Sequence, residues 1–323
     1  MSGPAPSNAS APPGPSLSGA DIVPAHRRRY SVLTRRDKTM MALMVGIPTL
    51  LCLFFIWFPT VVSFGLSFTN WQGYTALTGK NIIGLKNYEY LFTSYPFFWP
   101  AVWHNILWLL TFVFIATPIG IFLAVLLDRE MRGTRIYQSA FFIPVVLSLA
   151  VIGFIWQLQY TSQGFINSVL GRTGQEDVID WLGNPSLNLW AVLVAASWRH
   201  VGYVMVLYLA GLKSVDPTLR EAAAIDGANA RQTFFRVVFP VMKPINIVIV
   251  VVTVIESLRA FDIVYIINQG KNGLELLSVL ITNNSIGEAR LLGFGSAIAV
   301  VLLVISLVPI VIFLTRTMRE EAA

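Results

Sequence analysis

The chain has 323 residues, 55% of them apolar, with 17 Asp and Glu against 23 Lys and Arg and a net charge of +6. Charged residues are 12% of the total, about half the share of an ordinary soluble domain, and the apolar residues collect in runs long enough to cross a bilayer, so an integral membrane protein is expected. The single cysteine, Cys52, excludes an intrachain disulfide, a Cys-based metal site and a redox pair. The basic residues fall between apolar runs, where cytoplasmic loops collect them, which argues against a nucleic-acid partner.

Residues 1–26 hold Pro4, Pro6, Pro12, Pro13, Pro15 and Pro24 among Ser, Ala and Gly, too little apolar surface to offset the entropy of ordering. With Arg27, Arg28, Arg29, Arg35, Arg36 and Lys38, the segment 1–38 is expected to be a disordered basic tail. The first apolar run, 40–68, is longer than a signal-peptide core and has no small-residue cleavage site after a short apolar stretch, so it is read as a retained span. Further runs at 102–127, 137–158, 189–212, 245–265 and 291–315 are each near the ~20 residues a helix needs to cross ~30 Å of hydrocarbon. They lack the alternation of barrel strands. An all-α polytopic membrane protein is expected, with six transmembrane helices in 39–319 and a short C-terminus at 320–323. Lys and Arg concentrate in the tail, in 128–136 (Arg129, Arg132, Arg135), in 213–243 (Lys213, Arg220, Arg231, Arg236, Lys243) and at Arg316 and Arg319; the other loops carry only Lys80, Lys86, Arg172, Lys271 and Arg290. The positive-inside rule puts both termini in the cytoplasm. Pro48, Pro59, Pro118, Pro144 and Pro309 lie within spans and predict kinks.

The loop 213–243 has the clearest local signals. Asp216 followed by Pro217 is an N-cap with proline at the first helical position, and Leu219–Ile225 is a run of helix formers ended by Asp226-Gly227. A second short helix is predicted at Gln232–Phe239, with Phe234, Phe235, Val238 and Phe239 on one face and Pro240 and Pro244 closing it. Taken together, Glu221-Ala222-Ala223, Gly227, Val237, Phe239 and Pro240 fit the spacing E-A-A-x3-G-x9-I-x-L-P, with Val for Ile and Phe for Leu. This resembles the permease subunits of binding-protein-dependent ABC importers. Gly84-Leu85-Lys86-Asn87-Tyr88, Phe141-Phe142-Ile143-Pro144, Trp156, residues 164–167 (GFIN) and Phe261-Asp262 with Tyr265 are similar to further motifs of that family, in its sugar-type branch.

The resemblance implies a plasma-membrane permease that imports a carbohydrate. It implies as partners a second homologous permease, two copies of a cytoplasmic ATPase subunit holding ATP and Mg, and an extracytoplasmic solute-binding protein. It also implies that Glu221, Ala222, Ala223, Asp226, Gly227 and Pro240 belong to a coupling segment that docks on the ATPase; the small residues Ala222, Ala223, Ala224 and Ala228 would allow close approach. The plainer reading is an Ala-rich helix with a Gly C-cap. Glycerol 3-phosphate, or another polyol or sugar phosphate, is the alternative substrate.

The chain has no phosphate-binding loop of its own: the nearest string, Gly73–Asn81, has five residues between its glycines and Asn where Ser or Thr is needed. No metalloprotease, nucleophile-elbow or Cys/His motif occurs, and His26, His104 and His200 are far apart in sequence. No cofactor, metal or catalytic residue is therefore expected in this chain. An intramembrane enzyme would have to rest on Glu256 with His200, which have no nucleophile beside them.

Ionisable residues within spans are costly and usually face an interior. Helical rise puts Arg199 and His200 at ~15 Å depth, Glu256 at ~13 Å and Arg259 at ~9 Å. Two readings stand. Either Arg199, His200, Glu256, Arg259, Asp262 and Asn105, with His104 and Trp198, line a translocation cavity, or Glu256–Arg259 and Arg259–Asp262 form an i,i+3 ion-pair ladder within one helix. Trp71, Tyr74 and Trp181 are assigned to the interfacial belt. The loops 69–101 and 159–188 either receive the binding protein or simply cover the bundle.

Overall fold

The computed structural model describes residues 34–129, 133–172, 174, 177–287 and 290–322. Of the expected disordered tail 1–38, residues 1–33 lie outside the described residues, as does Arg132, while residues 35–38 are helical and correct that expectation. Among those described there is no strand, only an isolated antiparallel bridge between Thr69 and Ile82. The fold is all-α and polytopic.

Contacts divide the chain into 1–56 and 57–323. The first unit holds α1 (Arg35–Cys52), opened by a capping box: Thr34 Oγ1 accepts from the Asp37 N–H at 3.3 Å, and the Asp37 carboxylate accepts from the Thr34 N–H at 2.9 Å.

The second unit comprises α2 (Phe58–Leu66), α3 (Lys86–Thr93), α4 (Phe98–Leu127), α5 (Thr134–Val146), α6 (Leu149–Gln159), α7 (Asn188–Ser214), α8 (Pro217–Ile225), α9 (Ala230–Val241), α10 (Lys243–Leu258), α11 (Asp262–Asn268), α12 (Leu277–Ser285) and α13 (Leu292–Ala322). Among the described residues, four helical runs are long and apolar enough to cross a membrane: Arg35–Leu66, Phe98–Leu127, Asn188–Ser214 and Leu292–Ile312.

The runs read as continuous at 137–158 and 245–265 are instead broken. The first turns through 102° between α5 and α6. Pro144 removes a backbone donor near the end of α5, Leu147 is extended (ψ 143°), and the Ser148 hydroxyl restarts the helix by accepting from the Val151 N–H. In the second, α10 stops at Leu258, and residues 259–261 leave the helical path before α11 begins on Asp262, an acidic residue suited to a helix N-terminus. A further bend of 77° separates α9 from Lys243–Asn268. The kink expected at Pro118 is a π turn at Phe112–Ala116 just before it, and Pro240 likewise follows a π turn at Phe234–Val238.

Helices also form in stretches read as outer loops, among them α3 and Phe165–Val169, and α12 is the most deeply packed. The stretch after 265, read as an outer loop, contains α12, with Leu276, Leu277, Val279 and Leu280 buried. Leu277 and Leu280 pack with Leu91, Phe98, Phe294 and Ile298. Two other clusters share α7 as their spine: Trp108, Phe112, Ile152, Val192, Leu193, Val264 and Ile267 in one, and Val204, Met205, Tyr208, Leu212, Val238, Met242 and Ile249 in the other. Close approach of α7 to α5 depends on Gly202, where a Cβ would stand 2.3 Å from the Phe141 carbonyl oxygen.

Candidate functional site

A cavity of about 110 Å³ lies where the breaks leave room. Trp108 and Phe112 of α4, Leu149 of α6, Ala196, Arg199 and His200 of α7, Glu256 of α10, and Arg259 to Ile263 just beyond it border the cavity. Five of the six sequence candidates thus meet at one place. Arg199 Nη1 approaches Glu256 Oε2 at 3.5 Å, with side chains 24% and 41% exposed. This pair joins two helices. The intrahelical ladder does not form, because the helix that would carry it ends at Leu258; among the described residues Arg259 and Asp262 make no ion pair within 4.0 Å.

His200 is 2% exposed and its ring stacks on Phe112, centroids 4.3 Å apart. Its Nε2 lies 3.3 Å from Thr117 Oγ1 and 3.2 Å from Thr253 Oγ1, and the hydroxyls are 3.2 Å from each other. This buried knot ties α4, α7 and α10 together below the cavity, so the imidazole borders the space while its nitrogen is committed to the threonines.

Asn105 lies elsewhere. It is 2% exposed, and its Oδ1 accepts from the Leu277 N–H at 3.0 Å, satisfying a donor at the start of α12 that no capping side chain serves. His104 Nδ1 bonds the Glu275 carbonyl at 2.9 Å, so both residues anchor the segment leading into α12. Trp198 opens on a separate apolar hollow of about 630 Å³ walled also by Trp156, Tyr160, Trp181 and Trp190.

The 213–243 loop follows its local signals closely. Asp216 Oδ1 accepts from the Thr218 N–H at 2.9 Å, and that bond holds the carboxyl below its usual pKa. Pro217 opens α8. The helix closes in a Schellman motif, with Ala228 N–H bonded to the Ala223 carbonyl at 2.9 Å and Gly227 N–H to the Ala224 carbonyl at 3.1 Å, which requires the positive φ of +78° at Gly227. Asn229 with Gln232 forms a capping box on α9, a signal the sequence reading passed over. Glu221, Ala222, Asp226, Gly227 and Pro240 are exposed, and Ile225 is 86% exposed. Ala223 is buried, so it faces the protein rather than joining the small-residue surface. The aromatic face of α9 is split in the same way: Val238 is buried while Phe235 is 58% exposed. No group of three or more His, Cys, Asp or Glu is placed to hold a metal among the described residues.

Comparison with known proteins agrees with the fold. The xylose/arabinose import permease protein of Haloferax volcanii is 33% identical over 268 residues, covering 81% of this chain and 83% of that protein. The trehalose/maltose transport system permease protein MalF of Thermococcus litoralis is 29% identical over 285 residues, covering 88% and 95%. A bacterial alginate ABC transporter, solved in complex with an alginate pentasaccharide-bound periplasmic protein, has a chain that superposes with a TM-score of 0.74 at 21% identity, covering 88% of this chain and 96% of its own; at that identity the likeness is one of fold. Residues 22–319 match the family model described as binding-protein-dependent transport system inner membrane component. The chain belongs to that family, whose members are the membrane-embedded permease subunits of ABC importers and leave ATP hydrolysis to a separate subunit.

Proposed function

We propose that this chain is one of two homologous permeases in an ATP-driven importer of a carbohydrate delivered by an extracytoplasmic binding protein. Six spans, with α5–α6 and α10–α11 each counted as one, run through the plasma membrane with both termini in the cytoplasm. The observation that carries the reading is the convergence of Arg199, His200, Glu256, Arg259 and Asp262 on one cavity, above a loop whose Glu221, Ala222, Asp226 and Gly227 are exposed. Hydroxyl groups pair with guanidinium and carboxylate, and Trp108 and Phe112 supply apolar faces for a sugar ring.

The charges in the cavity balance: two guanidinium groups, Arg199 and Arg259, against two carboxylates, Glu256 and Asp262. A doubly charged phosphate calls for an excess of cations, so a neutral carbohydrate is favoured over a sugar phosphate. The sugar-related names of the relatives point the same way. The cavity lies below the ~300 Å³ at which ligand pockets begin, so admitting a sugar requires the helices to move and the second permease to complete the wall. The movement is driven from the loop 213–243, on which two copies of an ATPase subunit, holding ATP and Mg, close.

The test is reconstitution of the complete transporter in proteoliposomes, with labelled neutral sugars and sugar phosphates offered to the binding protein. Uptake of a neutral sugar that needs both internal ATP and binding protein is the expected result. Uptake without ATP, or of phosphorylated compounds alone, refutes the respective half of the reading.

A further inference from the structure

A charged contact that no motif marks holds the coupling segment to the bundle. Arg220, the residue before Glu221, extends Nη1 to Asp128 Oδ2 at 2.8 Å and Nη2 to the Leu212 carbonyl oxygen at 3.2 Å. Asp128 is the C-cap of α4 and its side chain is 12% exposed; Leu212 sits in the last turn of α7. Lys213 approaches the other Asp128 oxygen at 3.9 Å but is 62% exposed, so it is the weaker partner. The planar fork of a guanidinium can satisfy two acceptors on different elements, which a lysine ammonium does without fixed geometry. One side chain therefore joins α8, α4 and α7.

The covalent link between α7 and α8 is soft by comparison. Val215 (ψ 131°) and Asp216 (ψ 122°) are both out of helical conformation, so a push on α8 alone can be absorbed there as rotation. With Arg220 in place, the push reaches α4 and α7 directly. Those two helices touch by their backbones, for a Cβ at Gly120 would stand 2.8 Å from the Val201 carbonyl oxygen. Eleven residues, or ~16 Å, up α4 from Asp128 is Thr117, bonded to His200 at the cavity margin.

We infer that Arg220 is a positioning residue that converts displacement of α8 into a joint displacement of α4 and α7, and so of the cavity wall. The inference rests on the importer reading above. In the reconstituted transporter, with sugar uptake and phosphate release measured together, Arg220→Ala and Asp128→Asn each lower the sugar imported per ATP by about 5-fold or more. Arg220→Lys falls between these variants and the parent, and the exchange of Asp128→Arg with Arg220→Asp restores most of the ratio. If Arg220→Ala fails to assemble with the ATPase, Asp128→Asn, which keeps the side-chain volume, reads the same ratio. An unchanged ratio in the variants that assemble, including an equal fall of uptake and hydrolysis, overturns the role of the contact, and so does an exchange that rescues nothing. Import by the parent complex that ignores ATP instead refutes the importer reading itself.

Discussion

Glu256 separates a cavity wall from a structural ion pair, and the two roles differ in magnitude. Breaking a fully buried pair costs about 3–5 kcal/mol, whereas an exposed pair is worth about 0–1 kcal/mol. Here Arg199 is 24% and Glu256 41% exposed, and the contact is 3.5 Å, longer than a good charge-assisted hydrogen bond. Glu256→Ala is therefore expected to cost about 1 kcal/mol of stability, a shift of a few degrees in the melting temperature of the assembled complex. A hydrogen bond from a sugar hydroxyl to the carboxylate is worth about 1.5–3 kcal/mol, so losing one made during translocation slows uptake by about 10-fold or more. The assay measures uptake with binding protein saturating, alongside thermal unfolding, for Glu256→Ala, Glu256→Gln, Arg199→Gln and the double variant. A wall residue gives large transport losses and small stability losses, and the double variant recovers stability without recovering transport. Unchanged uptake with a stability loss of about 3 kcal/mol or more would refute the wall assignment and leave a packing pair.

Gly227→Ala meets no neighbouring atom within 4 Å, so its cost is the left-handed backbone alone, about 1–2 kcal/mol; the variant should insert and assemble normally while importing less sugar per ATP, and an unchanged ratio speaks against the coupling assignment. Asn105→Leu strands the N–H of fully buried Leu277 and is expected to cost about 1–3 kcal/mol in thermal stability with sugar selectivity preserved; a changed selectivity would instead return Asn105 to the cavity wall. Because Cys52 is the only cysteine, Cys52→Ser supplies a background for topology, in which Ile225→Cys should react with a membrane-impermeant thiol reagent only from the cytoplasmic side; labelling from outside reverses the orientation.

Most of the element list was legible because hydropathy summed over a span is insensitive to detail. Phe98–Leu127 and Asn188–Ser214 begin and end within a few residues of the expected 102–127 and 189–212. The loop helix was legible down to its cap, since Asp216-Pro217 and Gly227 act through local backbone chemistry that needs no tertiary partner. Facing was less accessible. Ala223 and Ala222 are adjacent and chemically alike, yet one is buried and the other exposed, and only tertiary packing decides which. Asn105 looked like a wall residue because a polar group in a span demands a partner; that the partner was the backbone of α12, 172 positions away, has no local trace.

Pro144 announced a kink but not the full break at Leu147, and the break at 259–261 was missed, for the same reason that both matter. Averaging over about 20 residues hides one extended residue at Leu147 and three irregular ones at 259–261, yet irregular backbone at membrane depth is tolerated only where protein or a water-filled cavity meets its free groups. The second break is met by protein groups. The Ala260 carbonyl is taken by the Ser278 hydroxyl of α12, and the Gln157 amide of α6 reaches the Ile267 carbonyl at 3.2 Å. Leu149, just past the first break, and Arg259 to Asp262, across the second, border the charged cavity. α12 and the second break are thus one arrangement: Ser278 of α12 meets the backbone released at Ala260, and the same break borders the space on which Arg199 and Glu256 converge.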